Sequence, residues 1–245
     1  MRVGVFDSGL GGLNILKSLI DKKPNNEYIY FGDTINLPYG NKSKEELLLI
    51  ADRIIKFMID SKVDIIIIAC GTISSNLYDD IKDKYGVKIV DLITPIVADL
   101  KTMNVKKVGL LGTKMTILSK VFENKIEKIG INVIPQACPA FVDIIENRST
   151  EPLDYYIDKY LKNLKYSKLD LIIPGCTHYP LIKKEIYDYL KVDVMDIGSS
   201  VCKYIDLVDS KNSVKLYFSL LDDEIKENVK KILGNYDIEE KRIDW

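Results

Sequence analysis

Asp64-Ile-Ile-Ile-Ile-Ala-Cys70-Gly-Thr72 and Asp170-Leu-Ile-Ile-Pro-Gly-Cys176-Thr-His178 are near-copies of one another. Each opens on an aspartate, runs through apolar residues and reaches a cysteine beside small or hydroxyl residues. The two cysteines lie 106 residues apart, which predicts two halves of similar build, each presenting one thiol. An unbroken apolar run of this length reads as a buried strand of a parallel sheet. In open α/β sheets, ligands collect at the carboxyl ends of such strands. Two thiols brought to one cleft from opposite sides can take a proton from one face of a carbon and return one to the other.

Outward from these segments, short β-rich runs alternate with longer stretches of helical period. Strands are expected at Arg2–Phe6, Glu27–Gly32, Asp64–Ala69, Lys88–Asp91, Lys107–Gly112, Asn132–Pro135, Asp170–Pro174, Asp193–Asp196 and Ser213–Phe218. Ser43–Ser61 carries Leu47, Ile50, Ile54, Phe57 and Met58 on one helical stripe. The alternation predicts an α/β fold of two pseudo-symmetric lobes, each a mostly parallel sheet flanked by helices, with the site in the cleft between them. Residues 1–93 with 206–245 are expected to form the lobe carrying Cys70, and 94–205 the lobe carrying Cys176. No Pro/Gly/Ser-rich linker marks the division, so topology alone places it near Leu92–Pro95.

The chain has 245 residues, 47% of them hydrophobic, enough for one large domain or two smaller ones. Its 35 basic and 36 acidic residues nearly cancel, which argues against nucleic acid or an acidic membrane as partner. No segment reaches the roughly 18 apolar residues of a membrane span. Met1–Asp7 enters a strand directly and lacks a signal-peptide core, so a soluble cytoplasmic protein is expected. Cys70, Cys138, Cys176 and Cys202 show no CxxC spacing, and the chain holds a single histidine, which together disfavour a zinc site.

The loops after the strands carry the polar residues. Asp7-Ser8-Gly9-Leu10-Gly11-Gly12 follows the first strand, and its glycines expose N–H groups where the next helix begins, a setting that attracts a carboxylate or phosphate. Its spacing matches neither the dinucleotide fingerprint nor a P-loop. Asp7 reads equally as a helix cap or as a charge near the chemistry. Pro38-Tyr39-Gly40 is either a plain surface turn or the rim of the cleft. Gly112-Thr113-Lys114-Met115-Thr116 offers hydroxyls that suit a carboxylate, though such residues are also common caps. A lone cysteine at a strand end is usually a small buried hydrophobe, but the repeated context raises Cys70 and Cys176 above that. Cys138 and Cys202 lack the context and read as packing residues. His178 either tunes Cys176, contacts the substrate or hydrogen-bonds the backbone at a helix start.

Taken together, Val5-Phe6-Asp7-Ser8-Gly9-Leu10-Gly11-Gly12, Tyr30-Phe31-Gly32-Asp33-Thr34 with Pro38-Tyr39-Gly40, Ala69-Cys70-Gly71-Thr72 and Gly175-Cys176-Thr177-His178-Tyr179-Pro180-Leu181 resemble the glutamate racemase family, within the aspartate/glutamate racemase group. Gly112-Thr113 with Thr116, and Ala137-Cys138-Pro139 leading to Glu146, fall in the same order. The resemblance spans nearly the whole chain. It implies a homodimeric isomerase that racemises glutamate with neither pyridoxal phosphate nor metal and supplies D-glutamate for peptidoglycan. It implies Cys70 and Cys176 as the two acid/base groups, tuned by Asp7, His178 and Glu146. Ser8, Tyr39, Gly40, Gly71, Thr72, Thr113, Thr116 and Thr177 are implied to hold the amino acid.

One departure stands out. The family usually has Asn where this chain has Gly71, and glycine offers only its backbone. Weaker glutamate binding, water in the cleft or a different substrate are the expected consequences. Aspartate or another acidic substrate, or a binding protein without turnover, are the alternatives the departure keeps open.

Overall fold

Apolar strands joined by amphipathic helices must stack so that both faces of each sheet are covered, and here they build two parallel sheets. The computed structural model describes residues 1–146 and 149–243. The chain lays down β1 (Arg2–Asp7), β2 (Glu27–Gly32), β3 (Ile65–Ile68) and β4 (Lys88–Val90). It then forms β5 (Lys107–Gly112), β6 (Asn132–Ala137) and β7 (Leu171–Pro174), and returns with β8 (Ser213–Phe218) and β9 (Ile238–Glu240). The first sheet has the order β4-β3-β1-β2-β8-β9 and the second β6-β5-β7, with every pairing parallel.

The order β3-β1-β2 in one sheet matches β7-β5-β6 in the other. The repeated segments are thus equivalent strands, each beside the first strand of its own half. In both halves the winding reverses at that first strand, the place where open sheets leave a crevice for ligands. The aspartate that opens each copy has one job in both. Asp64 Oδ2 accepts the Arg2 backbone N–H at 2.7 Å. Asp170 Oδ2 accepts those of Lys106 and Lys107 at 2.8 and 2.9 Å. Each carboxylate ties the start of its strand to the start of the neighbour, which fixes register.

Helices α1 (Leu13–Lys22), α2 (Lys44–Asp60), α3 (Gly71–Asn76), α4 (Tyr78–Ile81) and α5 (Ile93–Leu100) come before β5. Helices α6 (Lys114–Leu118), α7 (Val121–Glu127), α8 (Ala140–Ile145), α9 (Leu153–Leu161), α10 (Lys183–Leu190), α11 (Ile197–Tyr204) and α12 (Asp223–Leu233) follow. The start of α2 is set by a capping box in which Ser43 and Glu46 exchange side-chain and backbone hydrogen bonds at 3.2 and 2.7 Å. Its stripe of Leu47, Ile50, Ile54 and Met58 is buried, and Phe57 packs against Phe31 and Tyr217.

One apolar core runs between the sheets, joining Val3, Val5 and Ile67 to Val108, Leu110 and Ile173 through residues of α1, α5 and α11. A second core lies on the far face of the first sheet and a third on the far face of the second. Cys202 belongs to the central core and Cys138 to the third, and all four cysteines are free.

Two expectations for the strands need correction. Asp193–Asp196 makes only a bridge from Val194 to Ile172, because Asp196 caps α11 by accepting the Ser199 N–H at 3.0 Å. The edge strand β9 was not expected, since Ile238-Glu-Glu is short and polar. Among the described residues, no helix is long and apolar enough to cross a membrane.

Candidate active site

The carboxyl ends of β1, β3, β5 and β7 meet around a cavity of about 300 Å³. Asp7 and Ser8 reach it from the first strand, Cys70, Gly71 and Thr72 from the third, and Thr113 from the fifth. Cys176, Thr177 and His178 close the far side, with Tyr39 and Gly40 at the rim. Thr116 and Glu146 stand one step behind this wall. Thr116 meets Thr113 hydroxyl to hydroxyl at 2.9 Å, and Glu146 meets His178.

The surroundings of the two thiols differ. Cys70 ends its strand in an extended conformation, so its sulfur faces the first N–H groups of α3. Burial pushes this thiol well above its usual range, with the charges of Asp7 and Cys176 adding and the N–H groups of Ile73 and Thr72 opposing. Asp7 is itself fully buried at the end of β1. Its Oδ2 accepts the Gly12 N–H at 2.7 Å and the Thr177 hydroxyl at 3.4 Å, whereas Oδ1 has no hydrogen-bond partner among the described residues. Burial raises the Asp7 carboxyl, against the pull of the His178 charge and of the Gly12 and Ser8 N–H groups. Asp7 thus caps the loop through Gly12 and also presents charge to the cavity.

Cys176 has a different neighbour. His178 Nδ1 lies 3.8 Å from its sulfur, and Nε2 lies 2.7 Å from Glu146 Oε1. Both histidine and glutamate are buried, at 1% and 9% exposure. Burial alone would lower the imidazole pKa, but Cys176 and Glu146 outweigh it, and His178 is raised well above its ordinary value. The imidazolium is therefore the favoured form, and it lies directly against the Cys176 sulfur. One thiol faces a carboxylate and the other an imidazolium.

Hydroxyls link the halves across the cavity. Thr72, on α3, meets Thr113 at 3.0 Å, and Thr113 is the cap of α6. At the rim, the Tyr39 hydroxyl donates to Asp33 Oδ2 at 2.7 Å, and Asn36 holds the same carboxylate. Tyr39 is therefore a fixed wall of the pocket as well as a buried anchor. Among the described residues, no group of histidine, cysteine and carboxylate side chains is arranged to hold a metal ion.

Sequence reasoning missed one side of the cavity. Tyr156, Lys159 and Tyr160 line it from one face of α9, and Lys114 lines it from α6. Lys159 Nζ lies over the rings of Tyr155, Tyr156 and Tyr160 at 5.4 to 5.9 Å. Among the described residues it forms no ion pair with a carboxylate. The only available signal was the helical spacing of positions 156, 159 and 160, which a solvated helix shows equally well.

A two-lobed α/β enzyme with paired thiols in the interlobe cleft is the class that this fold and site define. Residues 15–205 match the model of the Asp/Glu/Hydantoin racemase family. The glutamate racemase of Aquifex aeolicus is 34% identical over 241 residues, covering 96% of this chain and 94% of that protein. Among solved structures, the glutamate racemase of Francisella tularensis in complex with D-glutamate aligns with a TM-score of 0.87 at 31% identity, covering 99% of this chain and 98% of that one. That of Aquifex pyrophilus aligns with a TM-score of 0.84 at 34% identity and 98% coverage of both. The chain belongs to the Asp/Glu/Hydantoin racemase family, and as a member it is an isomerase.

Proposed function

We propose that the protein interconverts L- and D-glutamate by moving the α-proton between Cys70 and Cys176, using neither pyridoxal phosphate nor metal. The observation that carries this reading is the placement of both repeated-segment cysteines on one cavity, with opposite charges beside them. In one direction the thiolate on the imidazolium side takes the α-proton, forming an S–H bond and leaving the electron pair on the α-carbon and carboxylate. The Cys70 thiol then delivers its own proton to the opposite face, and the reverse direction exchanges the roles. Backbone N–H groups and the hydroxyls of Ser8, Thr72, Thr113 and Thr177 suit the substrate carboxylates, including the charge that grows there during proton removal. Asp7 and His178, the latter held by Glu146, set the charge at the two sulfurs.

Similarity to proteins named glutamate racemase, one of them solved with D-glutamate, favours glutamate over aspartate. The same reading makes this a cytoplasmic, homodimeric enzyme supplying D-glutamate for peptidoglycan, with residues 1–93 plus 206–245 and 94–205 as its two lobes.

Circular dichroism with L-glutamate and separately with L-aspartate tests the assignment, and loss of optical rotation is expected with glutamate. Cys70→Ala and Cys176→Ala should each lower kcat by at least the ~10²–10⁴-fold typical of a lost acid/base group, whereas Cys138→Ala should keep most activity. Racemisation that survives removal of either repeated-segment cysteine would refute the two-thiol mechanism.

A further inference from the structure

The turn that carries Cys176 rests on the first lobe at two glycines. A Cβ on Gly11 would meet His178 Nδ1 at 2.5 Å and the His178 backbone nitrogen at 2.7 Å. A Cβ on Gly71 would fall on the carbonyl oxygen of Gly175, with that carbonyl carbon at 2.9 Å and the Cys176 Cα at 3.6 Å. No atom can occupy that position without displacing backbone, because nonbonded carbon contacts are optimal near 3.5–4.0 Å. Gly71 is not among the residues with positive φ, so space and not backbone conformation demands glycine. The missing side chain therefore leaves no gap for water, because the Gly175 carbonyl fills the place. The asparagine expected here could be carried only with the Gly175–Cys176 turn moved outward.

We propose that Gly71 is a positioning residue that lets the Gly175–Cys176 turn seat directly against the residue after Cys70 and so sets the separation of the two thiols. The inference rests on the two-thiol reading above. A side chain at position 71 pushes apart the two sulfurs that must face the same carbon. Removal of the α-proton needs one sulfur, but inversion needs both at their set distance. Widening the seam should therefore harm inversion more than it harms proton removal, and should let solvent exchange with the thiol that has just taken the proton.

The test uses the full chain and its Gly71→Ala and Gly71→Asn variants, each run with L-glutamate in D₂O. D-glutamate formation and α-deuterium in the recovered L-glutamate are measured together. Because their ratio is independent of the fraction of folded protein, it reports the site itself. We expect kcat for inversion to fall at least tenfold in both variants, with the ratio of exchange to inversion rising severalfold and KM changing less than kcat. Wild-type kcat in either variant would overturn the proposal, as would equal loss of exchange and inversion. Failure of both variants to fold would also overturn it, because Gly71 would then be a requirement of folding and not of thiol spacing. Wild-type protein that neither inverts nor exchanges glutamate would defeat the two-thiol reading itself, a result separable from any behaviour of the variants.

Discussion

Asp7 Oδ1 is a buried carboxylate oxygen with no hydrogen-bond partner among the described residues, which costs stability. An unsatisfied buried polar group costs about 1–3 kcal/mol. Asp7→Asn keeps an acceptor for the Gly12 N–H and removes the buried charge. It is expected to raise the unfolding free energy by about 1–2 kcal/mol in urea titration, while kcat falls at least tenfold. His178 yields a second prediction. Its folded-state pKa lies above the unfolded value of about 6.5, so the folded chain holds the proton more tightly. The stabilisation is complete below that pH and is lost as pH rises through the folded value. Since the chain has one histidine, urea titrations above pH 6.5 should show a steeper decline in stability than His178→Gln shows.

The elements divide the labour unevenly. Strands β1, β3, β5 and β7 supply the thiols, the Asp7 carboxylate and the hydroxyls, whereas α9 contributes Lys159 from outside the repeated plan. A cation lining the cavity, without a carboxylate partner among the described residues, attracts a dicarboxylate substrate, and the attraction weakens with salt because Debye screening acts over about 8–10 Å. Lys159→Met is expected to raise KM for glutamate severalfold with kcat nearly unchanged. The dependence of kcat/KM on ionic strength should become flatter. Steady-state kinetics across a salt series decides this, and an unchanged KM would remove Lys159 from the binding surface.

The central core binds the two sheets into one body, since Val3 and Ile67 of the first and Val108 and Ile173 of the second share the same apolar cluster. Neither sheet keeps that face dry without the other. Calorimetry should therefore show a single unfolding transition in which the van't Hoff and calorimetric enthalpies agree. Two resolved endotherms would mean that the lobes melt apart.

Repetition of an aspartate, an apolar run and a cysteine determined the parallel strands, the two halves and the thiols at their carboxyl ends. These are local patterns, because period and strand-end chemistry depend on residues near in sequence. Asp7 and Thr113 were legible for the same reason, as residues beside strand ends, whereas Tyr39 was read from its turn and Thr72 only through the family resemblance. Lys159, the step that places Thr116 and Glu146 behind the wall, and the collapse of Asp193–Asp196 to one bridge were decided only in three dimensions. Gly71 shows why. Its identity was plain in the chain, but what fills its missing side chain is the Gly175 carbonyl, 104 positions away, and only packing between the two sheets could bring that oxygen there.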